Sequence, residues 1–127
     1  MAAISSKNGV DLVMNFDKSI DQTKFIKFLR TLRRKYPFDK MALFMDRLSV
    51  HRCRQVQSVM KELKLGWVLN ASYSPDFNPI EGVFSIVKNH IKRKRLEAIV
   101  QGKRIHLEGL IKEAFERVSK ESCVNLI

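Results

Sequence analysis

The run Met41-Ala42-Leu43-Phe44-Met45 is apolar at every position and ends on a carboxylate, Asp46. It is far too short to span a membrane. It suits a central strand of a parallel or mixed sheet, covered on both faces. Helical periodicity lies on either side of it. Asp21 is placed to cap a helix from about Gln22 to Lys35, in which Phe25, Ile26, Phe28, Leu29 and Leu32 recur at helical spacing. Arg30, Arg33, Arg34 and Lys35 crowd its end, where cations suit the helix dipole, and Pro37 stops it. After Asp46 the pattern predicts a second helix over about Arg52 to Lys64, with Val56, Val59, Met60 and Leu63 on one face. Gly66 then leads into another short buried strand, Trp67-Val68-Leu69.

The ends of the chain extend the same alternation. Ala2 to Ile4, the turn signal Lys7-Asn8-Gly9 and the stretch Val10 to Phe16 read as a β-hairpin. In its second strand Val10, Leu12, Met14 and Phe16 form an apolar face, opposite Asp11, Val13 and Asn15. A loop rich in turn formers, Ser72 to Pro79, precedes a third helix from Ile80 to about Arg93. A basic stretch comes next, with Gly102 as its hinge. The last helix runs from about Leu107 to Lys120, with Leu107, Leu110, Ile111, Ala114, Phe115 and Val118 as its apolar positions. Strands first, then strand and helix in alternation, imply an α/β domain with a mixed sheet and flanking helices. At 127 residues the chain is expected to be one domain, 1–127, with the basic stretch 88–104 inside it.

Charge narrows the partners. Twenty-four Lys and Arg against thirteen Asp and Glu give a net charge of +11, which attracts polyanions, nucleic acid first and an acidic protein second. The cations Lys88, Lys92, Arg93, Lys94, Arg95, Lys103 and Arg104 face one acid, Glu97, between positions 88 and 104. Such a run can track a phosphate backbone with little sequence preference, or form an ordinary solvated helix end. Lys92-Arg93-Lys94-Arg95 also resembles a short nuclear-localisation signal, and nuclear residence is the expectation. No zinc-finger, helix-turn-helix or aromatic RNA-binding pattern is visible. No membrane segment and no secretory start are visible either. Cys53 and Cys123 make neither a disulfide framework nor a zinc spacing, and read as reduced packing residues of an intracellular protein. Asn70-Ala71-Ser72 matches a glycosylation sequon by accident.

Two acids stand where chemistry is usually placed. Asp46 ends a buried strand, and the strand C-terminal ends open onto the ligand crevice of α/β sheets. Glu81 lies in the first turn of the third helix, where the dipole also favours it. Phe44 to Arg52, and then Tyr73-Ser74-Pro75-Asp76-Phe77-Asn78-Pro79-Ile80-Glu81, resemble the mariner-type transposase superfamily. In that family an Asp-Asn-x-x-x-His segment precedes a Tyr-Ser-Pro-Asp-x-Asn-Pro-x-Glu segment. The resemblance places the family's second and third metal ligands on Asp46 and Glu81, with residues 47 to 80, thirty-four of them, in between. It extends more loosely over almost the whole chain, and it implies an RNase H-like fold truncated at the N-terminus. In such a site three carboxylates hold two divalent metals about 3.5–4 Å apart.

The departures from the family pattern shape the functional expectation. The resemblance starts at the hairpin, so the family's first Asp has no counterpart: Asp11 is mid-strand and Asp17 lies beyond the second strand. Arg47 replaces the family's Asn and places a cation beside Asp46, where it competes with metal. His51 matches a family position and has a capping or packing role as its simpler use. The leading expectation is a catalytically silent, transposase-derived DNA-binding or accessory subunit of a complex that acts on DNA or chromatin. A site reduced to Asp46 and Glu81 is expected to hold metal weakly and to need no cofactor. Two alternatives stay open. One is a Mg- or Mn-dependent DNA endonuclease whose first Asp comes from another chain or from missing sequence. The other is a protein-interaction scaffold without DNA contact. The missing strand also implies a protein partner or a homodimer, because an open edge of buried strands is normally covered.

Overall fold

A computed structural model describes residues 1–71, 74 and 78–127. The order of elements is β1 (Ala2–Ser5), β2 (Gly9–Val13), α1 (Gln22–Lys35), β3 (Met41–Met45), α2 (Ser49–Arg52), α3 (Arg54–Glu62), β4 (Leu65–Leu69), α4 (Pro79–Val100), α5 (Leu107–Glu116) and α6 (Lys120–Leu126). Contacts divide them into two compact units: Met1 with Phe16–Asn78, and Ala2–Asn15 with Pro79–Ile127.

The first unit is a strand–helix–strand crossover preceded by α1. The Asp21 side chain accepts from the Lys24 N–H at 2.9 Å, which satisfies one orphan donor and starts α1 at Gln22 as expected. Phe25, Phe28, Leu29 and Leu32 form its buried stripe, and α1 packs against α3, whose Val56 and Met60 are fully buried. The expected second helix is α3, which starts at Arg54 after Cys53, and the short α2 precedes it. β3 and β4 pair in parallel, from Met41 opposite Leu65 to Met45 opposite Leu69. Equal strand lengths and this register bring both C-terminal ends side by side, Asp46 next to Asn70.

The apolar run of β3 is not covered on both faces. Ala42 and Phe44 stand opposite Gly66 and Val68, and all four are exposed, Phe44 at 48% and Val68 at 57%. An unbroken apolar strand tells which residues tolerate burial, not how many layers surround it. Among the described residues the strands form two two-stranded sheets, β1–β2 and β3–β4, in an α/β arrangement with flanking helices.

In the second unit β1 and β2 pair antiparallel, with a register shift at Asp11: Ala3 faces Leu12 and Ile4 faces Val10. This bulge overturns the simple alternation read from the sequence, because a bulge re-aims side chains. Asp11, on the face read as polar, is buried, whereas Val10, Leu12 and Met14 are half-buried, and the Asp11 carboxylate accepts from Asn8 Nδ2 at 2.8 Å. The core comprises Val83 and Val87 of α4, Ala114 of α5, Val118 and Cys123, with Ile4, Val10, Ile91 and Phe115 packed against it. Burial raises the pKa of the Cys123 thiol, and the charge of Asp11 adds to the effect.

Helix α4 runs to Val100, past the expected end near Arg93, so most of the basic stretch is helical. It closes on Gly102 at φ 63°, with Gly102 N–H to the Ile99 carbonyl at 3.2 Å and Lys103 N–H to the Ala98 carbonyl at 2.9 Å. That pair of bonds is a Schellman stop. The expected last helix is α5, which ends at Glu116, and a further helix, α6, follows it, with Ser119 capping it through the Ser122 N–H.

Gly9 and Gly102 make a matched test of the two turns. Both have positive φ, but a Cβ on Gly9 would lie 3.0 Å from the Lys120 Cα, whereas one on Gly102 meets nothing within 4 Å. In urea unfolding, Gly102→Ala should cost about 1 kcal/mol of backbone strain. Gly9→Ala should cost distinctly more, since backbone must shift as well.

Candidate functional site at the ends of β3 and β4

Asp46 succeeds β3, and the residues around it are tightly arranged. His51, in α2, lies with its ring on Phe25 of α1, centroids 4.5 Å apart. Its Nδ1 is 2.8 Å from Asp46 Oδ1, yet its hydrogen bond goes to the Asp46 backbone carbonyl at 3.0 Å. Both neighbours are oxygen acceptors, so Nδ1 carries the proton. Asp46 Oδ1 is therefore buried beside the imidazole with no hydrogen bond of its own. His51 holds the end of β3 and packs on α1, the simpler of the two roles the sequence offered.

Arg47 points its chemistry elsewhere. Its Nε donates to the Asn70 carbonyl at 2.7 Å. Asn70 is buried, and each of its four polar groups is occupied. Its N–H donates to the Met45 carbonyl at 2.7 Å, its carbonyl accepts from Arg47, its Nδ2 donates to the Ser74 carbonyl at 2.6 Å, and its Oδ1 accepts from the Ala71 N–H at 2.8 Å. One residue thus fastens the positions on both sides of Asp46 and the start of the loop towards Glu81. Sequence reading missed this residue and saw only a sequon. Its position at the end of β4, opposite the residue after Met45, was the available signal.

Glu81 is exposed in the first turn of α4, behind the buried Asn78. Ser72, and from the motif leading to Glu81 the residues Tyr73, Pro75, Asp76 and Phe77, lie outside the described residues. Asp46 belongs to the first unit and Glu81 to the second. Among the described residues no group of three His, Cys, Asp or Glu side chains is placed to hold a metal ion. A two-metal centre needs more acidic ligands than Asp46 and Glu81 supply, so the described residues do not fit one by themselves.

The basic stretch sorts into tied and open cations. Arg93 donates to His90 Nδ1 at 3.3 Å, so the proton of that buried ring is on Nε2, 3.2 Å from Glu113 Oε1. Lys94 pairs with Glu97 at 3.4 Å. Lys88, Lys92 and Arg95 are exposed and succeed one another at spacings of four and three, which sets them on one face of α4. At 1.5 Å per residue the stripe is about 10 Å long. Lys103 and Arg104 continue the exposed positive surface beyond the helix stop.

The family described as DDE superfamily endonuclease matches residues 1–117. The chain belongs to the DDE superfamily endonucleases. Among solved structures it is similar to the catalytic domain of Mos1 mariner transposase, with a TM-score of 0.65, 16% identity and 94% of this chain covered. The Mos1 transposase catalytic domain with Raltegravir and Mn, and the same with Mg, match with the same TM-score and identity. This likeness shows the fold, which is RNase H-like. The chain spans 62% of the Mos1 catalytic-domain chain. No curated protein matches the sequence.

Within this DDE-superfamily site, Asn70→Asp should keep the acceptor for Ala71 and lose the donor to Ser74, leaving a buried carboxylate against a carbonyl. A loss of roughly 1–3 kcal/mol is expected in denaturant unfolding. Unchanged stability would show that the four bonds do not anchor the strand ends.

Proposed function

We propose that the chain is a DNA-binding accessory subunit, derived from a transposase and catalytically silent alone, within a complex that acts on DNA or chromatin in the nucleus. The observation that carries this reading is the exposed stripe Lys88, Lys92 and Arg95 on α4, continued by Lys103 and Arg104, in a chain of net charge +11. Cations at helical spacing contact successive phosphates and carry no base readout, so binding is to backbone with low sequence preference. A protein partner or a second copy is part of the reading, because among the described residues β1 pairs with β2 alone and β3 with β4 alone. Lys92-Arg93-Lys94-Arg95 supports nuclear import.

A second reading has one specific observation in its favour. Asp46, a strand-end carboxylate whose Oδ1 has no hydrogen bond and lies 2.8 Å from His51 Nδ1, is an oxygen ligand of the kind that divalent cations take. In this reading the chain is a Mg- or Mn-dependent endonuclease whose remaining carboxylate comes from another chain or from further sequence. Among the described residues no helix is long and apolar enough to cross a membrane, and neither reading involves one.

Plasmid binding over a salt series tests the first reading. Each lost phosphate contact lowers the slope of log affinity against log salt by about 0.9. Changing Lys88, Lys92 and Arg95 together to Ala should lower it by roughly 2.7, whereas changing the tied Arg93 and Lys94 should alter it little. Negligible duplex binding at moderate salt would instead favour a scaffold that does not touch DNA. Nicking of supercoiled plasmid with manganese, abolished in Glu81→Gln, would decide for the endonuclease.

A further inference from the structure

Phe38 is the most exposed large apolar residue among those described, at 95%. It is not on a slack loop. Tyr36 ends α1 with its N–H on the Leu32 carbonyl at 3.2 Å, and Pro37 prevents continuation. The next turn is fastened by Arg33. Its Nη1 donates to the Tyr36 carbonyl at 3.0 Å and to the Asp39 carbonyl at 2.9 Å, and its Nη2 donates to the Lys64 carbonyl at 3.2 Å. A guanidinium that binds three carbonyls holds both ends of a short turn and leaves its middle, Pro37-Phe38, facing solvent.

The chain on either side of this ring is cationic. Arg34 and Lys35 precede it in the chain, Lys40 comes two residues after it, and the Lys35 ammonium lies 5.6 Å from the centroid of the Tyr36 ring. Asp39 is the one acid in the turn, and its backbone is held by Arg33. An open aromatic face among cations has the chemistry that unpaired nucleotides require: a π-surface for the base and positive charge for the phosphate next to it. A paired base offers no such face, because its neighbours in the duplex already cover it.

We infer that Phe38, with Arg34, Lys35 and Lys40, is a stacking site for an unpaired base of single-stranded DNA. The inference rests on the DNA-binding reading above but uses a different place. The Phe38 turn belongs to the first unit, and the stripe Lys88, Lys92 and Arg95 to the second. The stripe binds any phosphate backbone, and the turn takes only strand that has been opened.

The test is the affinity of the whole chain for a 20-nucleotide oligo(dT) and for a duplex of equal length, by fluorescence anisotropy at fixed salt. Stacking by one base corresponds to about a five- to hundredfold loss of oligo(dT) affinity in Phe38→Ala, with duplex affinity unchanged. Phe38→Trp should restore binding and show quenching of its indole when oligo(dT) is added. The side chain is exposed, so these variants fold, and far-UV circular dichroism confirms it. Equal oligo(dT) affinity for Phe38→Ala and the parent protein overturns the inference, as does Phe38→Leu binding as well as phenylalanine, which would mark an apolar contact for a protein. A parent chain that does not bind oligo(dT) overturns it too. If oligo(dT) is bound through Phe38 while duplex is not bound at all, the inference holds and the stripe on α4 loses its proposed role.

Discussion

Parallel pairing of β3 with β4 places two chain segments that are far apart in sequence at one edge, and the arrangement around Asp46 depends on it. Strands of equal length in matched register must end together. Asp46 and Asn70 are then neighbours, and Asn70 can reach Met45 and Arg47, the residues on either side of the carboxylate. The bonds to the Met45 carbonyl and from Arg47 Nε are short, and Asn70 is shielded from water. Buried polar groups left unmatched are costly, so a fully matched one holds its neighbours in a single geometry. Helix α2 adds the third support, with His51 anchored on Phe25 and turned to Asp46.

Positive charge in this chain has two uses that composition cannot separate. Some cations are internal fasteners. Arg33 binds three carbonyls, Arg30 pairs with Glu62 at 3.0 Å, and Arg93 supports the buried His90. The Arg30 hydrogen bond, with its charge second, holds the exposed Glu62 carboxyl below its ordinary pKa. Others, such as Lys88, Lys92 and Arg95 in one unit and Arg34 in the other, are exposed. Cations that are exposed and untied are the ones best placed to release counterions from a nucleic acid.

Apolar surface is also left open. Phe44 and Val68 share the outer face of the parallel pair, and Leu96, Ile99 and Val100 recur at helical spacing near the end of α4. Exposed aliphatic groups at adjacent positions are uncommon on isolated domains and mark places where association removes more area from water.

Local rules were legible in the residues. Asp21 as a cap, Pro37 as a stop, the apolar stripe of α1 and the strand 41–45 are dictated by hydrogen-bond satisfaction and periodicity within a few positions, and the motif around Asp46 and Glu81 named the family. Features that depend on distant partners were not legible. The bulge that buries Asp11 answers to cross-strand register, and the exposure of Phe44 answers to the number of layers over the sheet. The helical run through Lys92–Val100 answers to the stop at Gly102. The role of Asn70 existed only once β3 and β4 lay side by side. Sequence by itself determined the elements, the family and the sign of the charge, because these are short-range or summed properties. Tertiary structure alone decided which arginines are fasteners, which lysines face solvent and what holds Asp46, because those depend on contacts between residues far apart in the chain.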